Sequence, residues 1–280
     1  MVSLKELRKQ ASEKLKKTGN DSPLADVDYI LSYVLGFSKS ELIFGDKHLD
    51  CEQQRIFSSA FERLLSGEPV QYIAGGCEFM SLWFEVSSAT LIPRADTEIL
   101  VESVVDLCKE REKLNIFEVG TGSGCIAVSL AHFLPQAEVL SVDISEEALA
   151  VAKRNSSRLG TESQCRFEKL DIMKKLPECE KLPDVIVSNP PYIPDKDISE
   201  LDKKVKDFEP LSALIGGCDG LDFYRRIAHD VPLAKGGLLA FEVGIGQATD
   251  VAAIMEEHFR DIRLIRDLSG IERVVLGFLG

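Results

Sequence analysis

Between Leu114 and Val243 the sequence alternates short apolar segments, rich in β-branched residues, with longer amphipathic segments. This alternation constrains the fold more than any other feature, because a helix between two strands returns the chain to a parallel neighbouring strand. It predicts a doubly wound α/β sheet with helices on both faces. The predicted strands are Asn115–Val119, Glu138–Val142, Cys165–Lys169, Asp184–Ser188 and Gly237–Val243. The predicted helices are Cys125–Phe133, Glu146–Leu159 and Gly220–Leu233.

Two further β-like segments, Ile262–Arg266 and Arg273–Phe278, follow the alternating region. The short segment that joins them contains DLSG and leaves no room for a helix. Parallel neighbours need a long crossover, so we expect these two strands to pair antiparallel.

The sequence before the alternating region has mainly helical periodicity. Apolar residues recur every three or four positions from Leu4 to Leu15, and Ser22-Pro23 is typical of a helix start. A third helix is predicted for Cys51–Leu65, and the later sequence EFMSLWFEVSSATLIP favours a hairpin. We therefore expect a helical domain at 1–72, a β-hairpin linker at 73–95 and an α/β domain at 96–280.

Composition narrows the classes of partner. The formal net charge is −13, whereas a dedicated binder of polyanionic nucleic acid usually has a basic surface. No uninterrupted apolar run approaches the ~18 residues of a membrane span, and the charged N-terminal sequence lacks the apolar centre of a secretory signal. We therefore expect a cytoplasmic protein with no membrane contact and no direct nucleic-acid substrate.

The seven cysteines and four histidines are scattered along the chain. No pair of cysteines forms a C-x-x-C sequence, and the number of cysteines is odd. This pattern predicts reduced, mostly buried thiols rather than a disulfide framework, and it predicts no metal site.

The sequence FEVGTGSGCIAVSLA places Gly120, Gly122 and Gly124 between the first predicted strand and its helix. Glycine permits a tight turn and lets a ligand approach the backbone, where the helix start offers unpaired N–H groups. The spacing is G-x-G-x-G rather than the dinucleotide pattern G-x-G-x-x-G. The glycines alone also fit a strand–helix turn that binds nothing.

Three acidic residues follow strands or precede the glycines in a way that suits a nucleoside with a cationic tail. Asp143 directly follows the second predicted strand, where an acid can accept hydrogen bonds from two ribose hydroxyls. Glu118 lies where it could reach a positive group, and Asp171-Ile172 would suit an adenine amine and ring. S-adenosylmethionine fits these groups better than NAD, although Asp171 alone also suits a turn or helix cap.

At the end of the fourth predicted strand the chain turns through Asn189-Pro190-Pro191-Tyr192. Each proline holds the preceding residue extended, and neither has an N–H to donate. The Asn189 side-chain oxygen and the Pro190 carbonyl can therefore accept both protons of one planar –NH₂ group, beside the aromatic face of Tyr192. Such positioning suits methyl transfer to a weakly nucleophilic nitrogen. The alternative is a strand that simply stops at its prolines.

The sequence resembles the HemK/PrmC family, the protein-(glutamine-N5) methyltransferases that modify peptide chain release factors. The resemblance covers nearly the whole chain, and one departure is Ala95-Asp96, where the family commonly has Pro-Glu. The matching segments are GEPVQYIAGGCEFMSLWFEV, LIPRADTEILVE, EVGTGSGCIAVSLA, SVDIS, VSNPPYIP and FEPLSALIGGCDGLDFYRRI.

The resemblance implies a class I, Rossmann-like methyltransferase domain with seven strands, behind a helical substrate-recognition domain. It implies S-adenosylmethionine as cofactor and the glutamine of a release-factor Gly-Gly-Gln loop as substrate. The implied cofactor-binding residues are Glu118, Gly120, Thr121, Gly122, Ser123, Gly124, Asp143, Ile144, Asp171, Ile172 and Asn189. The implied substrate-binding residues are Arg94, Asn189, Pro190, Pro191 and Tyr192, of which Asn189, Pro190 and Tyr192 are catalytic. Thr97 is expected to border the pocket, and Glu242 is expected to be structural.

Three other functions share parts of this pattern. Adenine-N6 nucleic-acid methyltransferases have the same Asn-Pro-Pro-Tyr corner, because adenine also presents a planar –NH₂ group. A sister family methylates a glutamine of a ribosomal protein. A protein that binds S-adenosylmethionine without catalysis is the third, although the intact Asn189 and Tyr192 speak against it. The oligomeric state is open.

Overall fold

The structure is a computed structural model that describes residues 3–44, 47–178 and 181–280. It divides into two compact units, a smaller one formed by Met1–Cys77 and Lys203–Phe208, and a larger one formed by Glu78–Asp202 and Glu209–Gly280. The predicted boundaries at 72 and 95 stay predictions. Six cysteines are described and form no disulfide among themselves, whereas Cys179 lies outside the described residues.

The smaller unit is helical because its apolar residues repeat at helical spacing and its helices have caps. Ser3 accepts a hydrogen bond from the backbone N–H of Glu6 at the first helix, and Asp50 forms a reciprocal capping box with Gln53. Their apolar faces share one core, which includes Leu15. The helices are α1 (Leu4–Lys16), α2 (Pro23–Tyr29), α3 (Lys39–Phe44), α4 (Cys51–Leu65), α5 (Val70–Ala74) and α9 (Lys203–Phe208). A π-helical turn, Ile30–Val34, extends α2.

The predicted hairpin is present as β1 (Gly76–Phe79) and β2 (Leu82–Glu85). The two residues between the strands, Met80 and Ser81, both have positive φ, at 51° and 60°. A two-residue turn with both residues in this region matches the twist of a hairpin.

The larger unit contains a seven-stranded sheet in the order β5-β4-β3-β6-β7-β9-β8. The pairs from β5 to β7 are parallel, and β9 pairs antiparallel with both β7 and β8. The strands are β3 (Leu114–Val119), β4 (Ala137–Asp143), β5 (Cys165–Lys169), β6 (Val185–Ser188), β7 (Leu238–Glu242), β8 (Phe259–Arg266) and β9 (Glu272–Leu279). The predicted α/β class, its seven strands and the antiparallel final pair are confirmed.

Helices cover both faces of this sheet, and each face has its own apolar core. Val104 and Leu149 belong to one core, and Tyr224 and Val251 belong to the other. The helices of the first face are α6 (Ala95–Cys108), α7 (Cys125–Phe133) and α8 (Glu146–Arg158), and those of the second are α10 (Asp222–Asp230) and α11 (Ala248–Met255). Two 3₁₀ turns, Asp195–Glu200 and Leu211–Ala213, lie between β6 and α10.

The helix α11 is absent from the sequence-based prediction. It has eight residues, and only Ala248, Val251 and Met255 are buried. Two turns with three buried residues produce a periodic signal too short to distinguish from a loop. Among the described residues, no helix has the length and apolar character that crossing a membrane requires.

Candidate active site

The order of strands in the sheet reverses between β3 and β6, which lie side by side. The chain leaves β3 toward β4 on one side and continues from β6 to β7 on the other, so the loops after β3 and β6 diverge and open a crevice. The Ser188 hydroxyl donates to the Val119 carbonyl oxygen at 2.7 Å and ties the two strand ends together. The two predicted motifs, Gly120–Gly124 and Asn189–Tyr192, begin at these ends.

A cavity with about 1050 Å³ of empty space, including its solvent-open part, lies at this crevice. It brings together most of the predicted site residues. Those on its wall are Arg94, Thr97, Gly120, Thr121, Gly122, Ser123, Asp143, Ile144, Asp171, Ile172, Asn189, Pro190 and Pro191. Four of the described residues that the sequence analysis names do not form part of this wall. They are Glu118, Gly124, Tyr192 and Glu242.

The glycine loop, Gly120–Gly124, has positive φ at all three glycines, with values of 86°, 53° and 80°. Only glycine adopts this region without strain. Close packing adds a second requirement at Gly124, where a Cβ atom would lie 2.9 Å from that of Ala152 on α8. The loop therefore keeps both its turn and its approach to α8 only with glycine at these positions.

Asp143 anchors the glycine loop from the end of β4. One carboxylate oxygen accepts from the Gly122 N–H and the other from the Ser145 N–H, each at 2.9 Å. A carboxylate has about four acceptor positions, so both oxygens keep capacity for further donors. Asp143 lies on the cavity wall, where a ligand's hydroxyl groups would reach it.

Glu118 lies beneath the loop and is fully buried. Its register partner on β4 is Ser141, whose hydroxyl donates to Glu118 and lies 2.6 Å from the Thr121 hydroxyl. Burial raises the pKa of Glu118 to about 8, and the nearby Asp143 charge adds to this effect. The geometry gives Glu118 contact with the loop through two hydroxyls, and its direct contact with a cofactor stays a prediction.

The predicted adenine end of the cavity has Asp171 and Ile172 on its wall. Lys174 forms an ion pair with Asp171 at 2.8 Å and lowers the pKa of that carboxyl. Ile172 is buried, and its carbonyl oxygen accepts from Arg226 at 2.8 Å. Ile144, also on the wall, is 48% exposed and presents an apolar surface at the cavity.

The proline corner, Asn189–Tyr192, is held by residues far away in the sequence. The Asn189 side-chain nitrogen donates to the Thr97 hydroxyl oxygen at 3.2 Å, and Thr97 lies on α6. The Gln247 side-chain nitrogen donates to the Tyr192 carbonyl oxygen at 3.0 Å, while its oxygen accepts from the Gly244 N–H at 3.1 Å. These contacts fix the corner from two sides of the sheet.

Three glycines lie against the same corner. A Cβ atom at Gly216 would lie 2.7 Å from the Pro191 carbonyl oxygen, and one at Gly220 would lie 2.2 Å from that of Tyr192. At Gly244 a Cβ atom would meet the Tyr192 ring at 3.0 Å. Sequence reasoning did not identify these glycines as site residues, and their only signal was the resemblance of the segment that contains Gly216 and Gly220.

Tyr192 packs partly against the second core instead of forming the cavity wall. Burial raises the pKa of its phenol to about 12. The phenol therefore stays protonated at neutral pH. The aromatic contact with a substrate that the sequence predicts for Tyr192 stays a prediction.

Arg94 is the one basic side chain that the described residues contribute to the cavity wall. Its guanidinium forms an ion pair at 2.5 Å with Glu209, whose carboxylate is 2% exposed. The other Glu209 oxygen accepts from the Ile92 N–H at 3.3 Å. Arg94 and Glu209 therefore connect the segment before α6 to the segment before Leu211–Ala213, and both segments border the cavity.

The wall residues fit S-adenosylmethionine chemically. Asp143 and Asp171 offer acceptors for hydroxyl and amine groups, Ile172 offers apolar surface, and the missing Cβ of Gly120 leaves backbone accessible. Within residues 3–44, 47–178 and 181–280, no group of three or more His, Cys, Asp or Glu side chains is arranged to hold a metal ion.

Comparison with known proteins gives matches to both units. A family described as the PrmC N-terminal domain matches residues 6–75, and a methyltransferase domain matches residues 110–211. Two solved structures share only 14–18% identity and so support the fold alone. The hMettl16 catalytic domain has a TM-score of 0.55, and the match covers 69% of this chain and 74% of the hMettl16 chain. A methyltransferase from Pyrococcus furiosus has a TM-score of 0.52 and is covered to 99%, over 80% of this chain.

Relatives of known name match over nearly the full length. A release factor glutamine methyltransferase from Clostridium acetobutylicum is 38% identical over 100% of this chain and 99% of its own length. A protein of the same name from Geobacter sulfurreducens is 40% identical over 95% of this chain and 93% of its own length. Another, from Bacillus anthracis, is 36% identical over 96% of this chain and 97% of its own length. The chain therefore belongs to the release factor glutamine methyltransferase family.

Proposed function

We propose that this protein transfers a methyl group from S-adenosylmethionine to the side-chain nitrogen (N5) of the glutamine in the Gly-Gly-Gln motif of peptide chain release factors. The observation that supports this most directly is the position of Asn189 and Pro190 on the wall of the cavity that the glycine loop also borders. The full-length similarity to relatives named release factor glutamine methyltransferase supports the choice of substrate.

The glycine-loop half of the cavity would hold the cofactor. S-adenosylmethionine, when bound, supplies an electrophilic methyl group on a positively charged sulfur. The backbone of Gly120–Gly124 would contact its methionine part, Asp143 would accept from the ribose hydroxyls, and Asp171 with Ile172 would hold the adenine. The negative charges of Asp143 and Asp171 suit a cationic ligand.

The proline corner would hold the substrate amide. The Asn189 side-chain oxygen and the Pro190 carbonyl oxygen would each accept one proton of the glutamine –NH₂ group. With both protons held, the nitrogen lone pair can be directed at the methyl carbon, and in-line positioning supplies much of the rate acceleration. As the C–N bond forms, the bond between the methyl carbon and sulfur would break and leave a neutral thioether. The positive charge would pass to the nitrogen, which makes its remaining protons acidic.

Loss of one of these protons to water completes the reaction and restores a neutral, methylated amide. No strong general base is needed, because a cationic amide nitrogen is a strong acid. Arg94 borders the same cavity, where its guanidinium can interact with the substrate backbone beside its ion pair with Glu209. The direct partner would be a protein in the cytoplasm, where release factors act.

The deciding experiment incubates the protein with labelled cofactor and, separately, a release factor, a ribosomal protein and duplex DNA. We expect label on the release factor and none on a release factor whose Gly-Gly-Gln glutamine is changed to alanine. Label on DNA alone, or on the ribosomal protein alone, would contradict the proposal and support one of the alternative substrates.

The substitution Asn189→Ala tests the corner itself. Because it removes an acceptor that positions the amide, we expect turnover to fall about 100-fold or more, with the cofactor Kd changed less than about 3-fold. Asn115→Ala is the matched control, since Asn115 pairs with Asp184 at the opposite end of β3 and is outside the cavity. Equal losses of cofactor binding and turnover in Asn189→Ala would mean that Asn189 serves the cofactor pocket or the fold.

A further inference from the structure

Glu242 is a buried carboxyl beside the proline corner, for which the sequence suggests no role in the reaction. It ends β7, next to β6, and is 3% exposed. One of its oxygens, Oε2, has no hydrogen-bond partner among the described residues. A buried carboxyl with spare acceptor capacity is costly unless neighbouring donors use it.

The donors near Glu242 come from the substrate side of the cavity. Thr97 and, to a lesser extent, Asn189 lie close enough to this carboxyl to lower its pKa by hydrogen bonding. Asn189 also donates its side-chain N–H to the Thr97 hydroxyl oxygen at 3.2 Å. Thr97 and Asn189 lie on the cavity wall, whereas Glu242 lies behind them.

The chemistry of these groups gives the network a direction. An ionised carboxylate can only accept hydrogen bonds, so the single proton of the Thr97 hydroxyl points to Glu242. The Thr97 oxygen is then an acceptor, and it takes the –NH₂ end of Asn189. The other end of the amide, Oδ1, is left for the substrate.

We propose that Glu242 is a positioning residue that acts directly and through Thr97 to hold the Asn189 amide with its oxygen toward the substrate nitrogen. This inference rests on the proposed function, since it concerns the same amide. An Asn amide has nearly the same shape in both orientations, so packing alone discriminates poorly between them. A hydrogen-bond network that ends in a carboxylate, which can only accept, favours one of the two amide orientations over the other.

Protonation of Glu242 would remove that direction. Its pKa is raised to about 7, mainly by burial, with Asp96 adding to the effect and Arg273 opposing it. A neutral Glu242 can donate to Thr97, which frees the Thr97 proton for Asn189 Oδ1. The flipped amide would then present –NH₂ to the –NH₂ of the substrate, and two donors would face each other.

Other ionisable groups also face Glu242 and need controls. Asp96 of α6 and Arg273 of β9 form an ion pair at 3.0 Å. Tyr224 of α10 donates its hydroxyl to the Glu242 carbonyl oxygen at 2.9 Å, and Tyr192 follows β6. Burial raises the pKa values of both tyrosines. Neither tyrosine therefore titrates near neutral pH.

The test compares Glu242→Gln with wild type in turnover of a release factor between about pH 6 and about pH 8. Wild-type kcat should rise with pH through about 7, as Glu242 ionises. Glutamine keeps the shape but can donate or accept, so we expect kcat about 10- to 100-fold lower and independent of pH in this range. The cofactor Kd and the Tm should stay close to wild type.

Thr97→Val should reproduce the larger part of the loss, because it removes the linking hydroxyl at nearly constant volume while the direct Asn189 contact remains. Thr97→Ser should restore most of the activity that valine loses. The matched control for removing a buried hydroxyl is Thr161→Val, since Thr161 is buried, bonds Ser156 and lies outside the cavity. Asp96→Asn should keep a rise in kcat with pH but move it to lower pH, because the Asp96 charge helps to raise the pKa of Glu242.

A wild-type kcat and pH profile in Glu242→Gln would overturn the inference. Parallel losses of Tm, cofactor binding and turnover would also overturn it, because they would indicate a structural role alone. These outcomes differ from failure of the proposed function, in which the wild-type protein itself would not methylate release factors.

Discussion

The two halves of the cavity are built in different ways. The glycine loop has a backbone hydrogen bond of its own, since Gly124 N–H donates to the Thr121 carbonyl oxygen at 2.8 Å, and Asp143 at the end of the neighbouring strand β4 accepts from Gly122. Among the described residues the proline corner has no hydrogen bond within itself. It depends on Thr97 and Gln247, which are 92 and 55 positions away from their partners, and on three glycines packed against it. The shape of the glycine loop is therefore set mainly by its own sequence and the adjacent strand, whereas the shape of the proline corner is set by residues from several other elements of the fold.

This difference predicts different responses to substitution. A change in the glycine loop should alter cofactor binding directly and leave the corner in place. A change in a residue behind the corner should reduce turnover without touching any group of the cofactor half. Substitutions that separate cofactor affinity from turnover are therefore the sharpest tests of the comparison.

The largest effect is expected for Gly220→Ala. Gly220 has a φ of 80°, and its new Cβ would lie 2.2 Å from the Tyr192 carbonyl oxygen and 2.8 Å from the Gln247 side chain. The corner must move to relieve this contact, so we expect turnover to fall by at least about 100-fold, because misplacement by ~1 Å has effects of this size. Cofactor affinity, measured by calorimetry, should change less than about 5-fold if the halves are independent.

The control for Gly220→Ala is Gly160→Ala. Gly160 also has positive φ, at 71°, but no atom of the described residues lies within 4 Å of the position that its Cβ would take. Because alanine is strained at this φ, Gly160→Ala should lower the unfolding free energy by about 1–2 kcal/mol and keep wild-type turnover. If Gly220→Ala behaves like Gly160→Ala, the corner tolerates displacement and the proposed dependence on distant packing is wrong.

A smaller effect, on the other half, is expected for Asp143→Ala. It removes the acceptor that we propose for the ribose, and hydrogen bonds to charged groups contribute about 1.5–3 kcal/mol each. We expect the cofactor Kd to rise by about 10- to 100-fold, while kcat at saturating cofactor falls less. The measurement is calorimetric titration together with turnover at several cofactor concentrations.

Asp143 also bonds the Gly122 and Ser145 N–H groups, so its removal should lower the Tm. Asp143→Asn is the matched variant, because its one carbonyl oxygen can keep part of these contacts. A Kd that stays at the wild-type value in Asp143→Ala, in a folded protein, would contradict the ribose assignment.

The same contrast explains which features the sequence could predict. Gly120, Gly122 and Asp143 could be identified because local turn chemistry and strand position specify them. The Asn189–Thr97 hydrogen bond joins residues 92 positions apart, and the Gln247–Tyr192 bond joins residues 55 positions apart. No periodicity reports such pairs, because they arise only when the sheet brings β6, β7 and α6 together.

Glu118 and Glu242 show a second limit of sequence reasoning. Both are acids at the ends of central strands, and both are buried. The sequence could not show that Glu118 is buried under the loop with Ser141 as its hydrogen-bond partner, and its predicted contact with a cofactor stays a prediction. Burial of an acid depends on what covers the strand end, and that is a property of the folded unit.

The smallest predicted effect concerns the stability that Glu118 contributes beneath the glycine loop. Its pKa is raised from 4.5 to about 8, so in this interval the folded protein retains a proton that the unfolded chain has lost. The stability contributed by neutral Glu118 is complete below about pH 4.5 and is lost progressively as the pH rises to about 8. Glu118→Gln removes this dependence, because glutamine does not titrate.

We therefore expect the Tm of Glu118→Gln to rise relative to wild type as the pH increases from about 5 to about 8, without cofactor. Glu242 also makes the Tm depend on pH, but it does so equally in wild type and Glu118→Gln. Its contribution therefore cancels in the difference between their Tm values. Glu102→Gln, at an exposed position of α6, should show a Tm difference that does not change with pH. A constant difference for Glu118→Gln would mean that the Glu118 carboxyl loses its proton at the same pH in the folded and the unfolded protein, and the raised pKa beneath the loop would then be wrong.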